Sequence, residues 1–111
     1  MVIPFEEEIK VALSVLLYPA ALYQYDGKES TFLVFYVWSN RVGNYADNEP
    51  TSETPRATVT VFANKRSSNV VNEVKTALRN AGLRVVDDSG TLDYETGRIQ
   101  HNIEIVSTRF I

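Results

Sequence analysis

The densest run of apolar positions is Ser30 to Ser39, Ser-Thr-Phe-Leu-Val-Phe-Tyr-Val-Trp-Ser. Side chains alternate across a strand, so Phe32, Val34, Tyr36 and Trp38 share one face and Leu33, Phe35 and Val37 the other. Both faces carry apolar bulk. A run of this kind, β-branched and aromatic but too short for a membrane span, predicts a central strand covered on both sides. One cover can be a helix of this chain, and the other a second helix or a neighbouring subunit.

Two stretches follow a helical period. Over Pro4 to Leu17, Phe5, Ile9, Ala12, Leu13 and Leu16 form one stripe. Pro4 suits a first turn, Glu6, Glu7 and Glu8 match the helix dipole there, and Pro19 ends the segment. A catalytic carboxylate in that triplet would need a partner that the sequence does not offer. Over Ser67 to Ala81 the stripe is Val71, Val74, Leu78 and Ala81, with Val70 and Ala77 at its edges. Ser67 or Ser68 can cap this helix, Arg79 suits its last turn, and Gly82 stands where a left-handed stop belongs. Lys65 and Arg66 precede it, but no Gly-rich phosphate loop accompanies them, so they read as surface basics.

The remaining segments alternate or break. Ala20 to Glu29 is a short connection offering a strand through Leu22, Tyr23 and Tyr25, and Asp26-Gly27 is a hairpin signal. The apolar strand can run on through Arg41 and Val42. Gly43 to Thr54 has turn residues, acids and no apolar period; it predicts a long loop, either the tip of a β-hairpin or a segment that contacts a partner. Arg56 to Asn64 sets Ala57, Val59, Val61 and Ala63 against Thr58, Thr60 and Phe62, a strand expected to pair antiparallel with the apolar run. Leu83 to Val86 begins another strand, followed by a turn at Asp87-Asp88-Ser89-Gly90 and a second turn at Asp93 to Gly97. Arg98 to Phe110 closes the chain as a long strand. Ile99, His101, Ile103, Ile105 and Ser107 lie on its buried face; Arg98, Gln100, Asn102, Glu104 and Val106 lie on the wetter one. The expected class is α+β, a mostly antiparallel sheet of four to five strands with two α-helices packed on it, forming a single domain over residues 1–111.

Composition narrows the function more than the fold. With 111 residues, 44% hydrophobic and 23% charged, the chain has the make-up of one folded domain. A net charge of −3 argues against a nucleic-acid binder, which ordinarily shows a basic face. No cysteine is present, which removes disulfides and thiolate metal sites, and one histidine removes multi-histidine sites. The start lacks the basic region of a signal peptide, and nothing approaches the ~20 apolar residues of a membrane helix, so an intracellular soluble domain is expected.

Candidate chemistry is sparse. No serine stands in a nucleophile elbow, and no nucleophile lies beside a base in a known spacing. Asp87, Asp88, Asp93 and Glu95 form an acidic cluster without the offsets and closing Glu of a calcium loop, so they read as turn residues. His101 reads as a hydrogen-bonded wall residue on an apolar face. The expectation is a protein that is not an enzyme and carries no catalytic, cofactor or metal site.

The order of segments resembles a known family. The strand Thr31 to Asn40 is followed by an acidic stretch with Ala46-Asp47-Asn48-Glu49, then Ala57-Thr-Val-Thr-Val-Phe62. The helix Asn69 to Ala81 ends in Ala-Gly-Leu83, and a closing strand follows Asp93-Tyr94-Glu95-Thr96-Gly97. This resembles the small tail-completion proteins of long-tailed phages, also called tail-terminator or tail-to-head joining proteins. The likeness covers nearly the whole chain and lies in element order, length and residue types. It implies a structural virion protein that forms a hexameric ring, caps the tail tube and docks onto the neck beneath the capsid. It also implies a lumen through which DNA passes without specific binding, no cofactor, no membrane, and a place at the head-proximal end of the tail after assembly in the host cytoplasm. The implied partners are further copies of the chain, the tail tube protein and a head-completion or neck protein. An acidic chain is compatible with a lumen along which DNA must slide. The contact residues are chosen from the long polar stretch itself: Tyr45, Asp47, Asn48, Glu49 and Glu53.

Two other readings remain. A small ligand-binding or regulatory α+β module with a ferredoxin-like sheet would also show two helices and several strands, with a compact loop inventory and a glycine-lined ligand turn. Against it stand five glycines and one long acidic stretch. A head-closure protein of the same neck is the other.

Overall fold

A computed structural model describes residues 4–28, 31–46, 49–64, 68–93, 98–107 and 109–110. The elements run α1 (Phe5–Leu13), β1 (Ala20–Leu22), β2 (Phe32–Ala46), β3 (Glu49–Asn64), α2 (Ser68–Asn80), β4 (Arg84–Asp93), β5 (Arg98–Val106) and β6 (Arg109–Phe110). The fold is α+β. One sheet has the order β1-β2-β3-β5-β4, with the two-residue β6 against the outer part of β3. All pairings are antiparallel except β1 with β2.

The helices form as their stripes require. Phe5, Ile9, Ala12 and Leu13 are buried on α1, and Glu6, Glu7 and Glu8 occupy its first turn. The helix stops at Leu13 rather than Leu17. The Ser14 hydroxyl donates to the Val11 carbonyl, and the amides of Ser14 and Leu16 turn back to Val11 and Leu13. This local bonding offers the backbone an alternative to helical continuation. Leu17 is consequently left exposed. On α2 the stripe is as expected, with Val74 and Leu78 fully buried and Val70, Val71 and Ala77 nearly so, although Ala81 is exposed. Gly82 takes φ +86°, its amide bonds the Arg79 carbonyl, and the Leu83 amide bonds the Leu78 carbonyl. That is a Schellman stop, and burial of Leu83 beside Leu78 supplies its apolar contact. Ser67, Lys65 and Arg66 lie outside the described residues.

The core lies between the helices and one face of the sheet, with α1 over β1 and β2, α2 over β3 and β4, and the two helices touching. Leu33, Phe35, Ala57, Val59, Val61, Ala63, Ile103 and Ile105 are the sheet's contribution. The middle strand is β3, not β2. It is paired on both sides along Arg56–Phe62, and Thr58 and Thr60 on its second face are buried by the flanking strands.

Four expectations change. First, β2 is covered on one face only: Leu33 and Phe35 are buried, whereas Tyr36 is 38% and Trp38 46% exposed. Second, β1 is three residues long and lies parallel to β2, so Asp26-Gly27 is not the turn of a hairpin; the chain crosses back before β2 begins. Third, Asp87 to Gly90 is strand. It belongs to β4, which pairs with β5 from Arg84 to Asp93 around a bulge at Val86. Fourth, the final strand breaks after Val106, and the short β6 shifts to pair Ser52 and Glu53 of β3. Residues 94–97, assigned to a turn, lie outside the described residues; Asp93 and Arg98 on either side of them are paired.

Candidate functional surface

The expected loop from Gly43 to Thr54 is a β-ribbon. β2 and β3 stay paired from Arg41↔Thr54 through Val42↔Glu53 and Gly43↔Ser52 to Tyr45↔Pro50 and Ala46↔Glu49. The residues chosen as contacts are thereby placed: Tyr45 on β2, Glu49 and Glu53 on β3, near or along an arm rather than in a loop. Asp47 and Asn48, between the two strands, lie outside the described residues. The stretch shows no apolar period, and a ladder held by backbone bonds requires none. Pro50 and Pro55 fit because β5 does not extend along this part of β3; Pro55 only accepts, from the Ser107 amide at 3.2 Å. Fifteen residues at about 3.3 Å each make β2 roughly 50 Å long, which accounts for the 56 Å long axis. The radius of gyration, 15.3 Å, exceeds the ~13 Å of a compact domain this size for the same reason.

The second feature is the sheet face away from the helices. Phe32 and Phe62 face each other across β2 and β3 with ring centroids 4.7 Å apart, and Tyr25 stacks on Phe32 at 4.4 Å. The Arg98 guanidinium lies 5.9 Å from the Phe32 centroid, within cation–π range. Tyr23, at φ +67°, brings its ring to 6.5 Å from Tyr36. Beside these rings is a polar floor. Tyr36, Thr58, Thr60, Gln100, Asn102 and Glu104 line a shallow cavity of about 440 Å³, and the Thr60 hydroxyl donates to Asn102 Oδ1 at 2.9 Å. Aromatic at one side and hydrogen-bonding at the other, this face has the mixed character of protein contact surfaces.

On the helix side, His101 stands in the wall, but among the described residues its Nε2 lacks the hydrogen bond expected of it, and its neighbours are ones the sequence did not reveal. Asp88, opposite Ile103 on β4, pairs with Lys75 of α2 and approaches His101 Nε2 at 3.5 Å. That separation is an electrostatic approach, not a hydrogen bond, and Nε2 is out of solvent with no hydrogen-bond partner among the described residues. The bond from Lys75 chiefly holds the Asp88 carboxyl below its ordinary range, with His101 adding to the effect. Gly90 lies opposite His101, and a Cβ there would meet Nδ1 at 2.6 Å, so this glycine leaves room for the imidazole. These contacts explain why residues typical of turns stand in a strand. On the same side, Tyr18 donates to Glu73 Oε2 at 2.8 Å and ties the exit of α1 to α2; that bond raises the Tyr18 pKa, with burial and the Glu73 charge adding.

Among the described residues no three metal-capable side chains cluster, and no helix is long and apolar enough to cross a membrane. No family model matches the chain, and no curated protein is significantly similar to it.

Proposed function

We propose that the chain is a structural subunit of a phage tail end: a tail-terminator protein that closes into a ring, most simply of six, caps the tail tube and joins it to the neck. The observation that carries this reading is the one-sided sheet. Helices cover one face, while the other presents the exposed Tyr36 and the half-buried Phe32–Phe62–Tyr25 stack without a cover from the described residues. Exposed apolar surface rimmed by polar groups marks an interaction site. The arm gives the subunit reach beyond its own core, which suits contact with a neighbour or with the tube. In this reading Tyr45, Asp47, Asn48, Glu49 and Glu53 are contact residues at the arm, the chemistry is assembly rather than catalysis, no cofactor takes part, and DNA passes without specific binding. The protein then resides at the head-proximal end of the virion tail.

The ferredoxin-like alternative draws on the polar cavity at Thr60 and Asn102. The element order argues against it, since a ferredoxin-like unit has two strands between its helices and this chain places three, β1, β2 and β3, between α1 and α2. The test is the length of tails assembled without the protein. Tubes longer than normal and unjoined to heads support a terminator. Tails of normal length, joined to filled heads, overturn it. Normal-length joined tails whose heads leak DNA would assign the chain to head closure instead.

A further inference from the structure

Deepening the ring reading, we infer that subunits join by strand addition, the arm edge of β2 in one copy pairing antiparallel with β4 of the next. Two long strand edges have no neighbour among the described residues. One is β2 beyond the reach of β1, which covers only Leu33 to Phe35. The other is the outer edge of β4, last in the sheet order. Each edge is interrupted by a bulge, at Trp38 and at Val86, and each runs regularly beyond it, Ser39–Ala46 and Asp87–Asp93. The two regular stretches are nearly equal in length. Unpaired edges of this kind are templates for another chain's strand.

Direction and charge choose between the possible pairings. β2 is antiparallel to β3, β3 to β5 and β5 to β4, so β4 runs opposite to β2. A head-to-tail repeat of the sheet therefore brings β4 antiparallel to β2, the more stable ladder. Ser39–Ala46 carries one charge, Arg41, whereas Asp87–Asp93 carries Asp87, Asp88 and Asp93. Pairing β4 with β4 about a two-fold axis sets Asp87 opposite Asp93, and pairing β2 with β2 brings no opposite charges together. The first is penalised, the second gains nothing from charge, and only the heterologous pair attracts. Heterologous contacts generate rings or filaments, not dimers. Within a subunit β4 lies level with the inner part of β2, so the join offsets neighbours by about nine residues, roughly 30 Å along the strands. A stagger between strands is what closing a barrel wall requires.

The experiment is amide hydrogen exchange on the full chain, comparing dilute monomer with concentrated assembly, and sedimentation of charge variants. New protection is expected in Ser39–Ala46 and Asp87–Asp93 together. Asp87→Lys with Asp93→Lys is expected to weaken assembly at least tenfold, as is Arg41→Glu alone, and the triple variant is expected to recover most of it. Circular dichroism melts establish that each variant folds. A ring whose protection falls elsewhere overturns the strand addition but leaves the ring. Open filaments protected at both edges keep the strand addition and refute the closed ring. Two-fold dimers protected at β4 alone, or no assembly at any concentration, overturn the inference.

Discussion

Truncating Leu78 to alanine tests the packing of α2 on the sheet. Leu78 is fully buried, belongs to the cluster with Val74, Leu83 and Ile103, and provides the carbonyl that receives the Leu83 amide at the helix stop. Removing its outer carbons forfeits about 2 kcal/mol of transfer free energy, at roughly 0.8 per methylene. The sheet side of the pocket is built from paired strands and can collapse only partly, so a cavity term adds to this. The expected cost is about 3–4 kcal/mol, inside the 2–5 range of such changes. At about 2.1 cal/mol/K of unfolding entropy per residue, a chain of 111 residues loses roughly 4 °C per kcal/mol, so the melting temperature is expected to fall by about 13–17 °C. Val11→Ala, on the exposed side of α1 at 63% exposure, is the control and is expected to shift the melt by less than about 2 °C. The assay is a circular dichroism melt of both variants with a urea titration alongside. A Leu78→Ala melt that overlays the wild type would show that the helix face is wrongly placed.

Three further outcomes are expected. Gly82→Ala forces a Cβ into a left-handed backbone at φ +86° with no steric neighbour, so urea titration is expected to show a loss of about 1 kcal/mol, and no loss would deny the Schellman stop. The Asp88 carboxyl is held below its ordinary value of 3.8 in the folded state, so its contribution is present above that value and disappears as pH falls through the lower folded value. Asp88→Asn is therefore expected to be less stable than wild type at neutral pH, with the gap closing in acid and narrowing in high salt because the pair is partly exposed; a gap independent of pH would contradict the Lys75 pairing. His101→Gln is expected to leave assembly and particle infectivity unchanged where the melt shows a folded protein, and a folded but inactive variant would reopen a chemical role for the imidazole.

What the sequence made legible follows from where a core imposed a pattern. Both helices, the buried row Ala57, Val59, Val61 and Ala63, the row Ile103 and Ile105, and the stop at Gly82 were all readable because burial on one side writes a period into the chain. The arm reads as a loop in the sequence because Gly43 to Thr54 has no apolar period, and its pairing runs through backbone bonds that leave no mark on side-chain choice. The strand at Asp87 to Gly90 was hidden for the opposite reason. Its residues are fixed by particular partners, Asp88 by Lys75 and Gly90 by the His101 ring, and partners on distant segments are invisible in one sequence. The lone histidine on an apolar face was the available signal that something polar and something small must lie opposite it. The parallel entry of β1 was missed because Asp26-Gly27 is a local hairpin signal, and the position of Ala20–Leu22 beside β2 is set by the packing of α1 instead.

The proposed ring at a tail end is tested most directly by cryo-electron microscopy of assembled particles that contain this protein. Six copies are expected at the head-proximal end of the tube, around an open lumen, with the helices turned away from at least one subunit contact and the β2–β3 arm engaged with a neighbour or with the tube. A single copy per particle, or no density for the chain at that end of the tail, would contradict it.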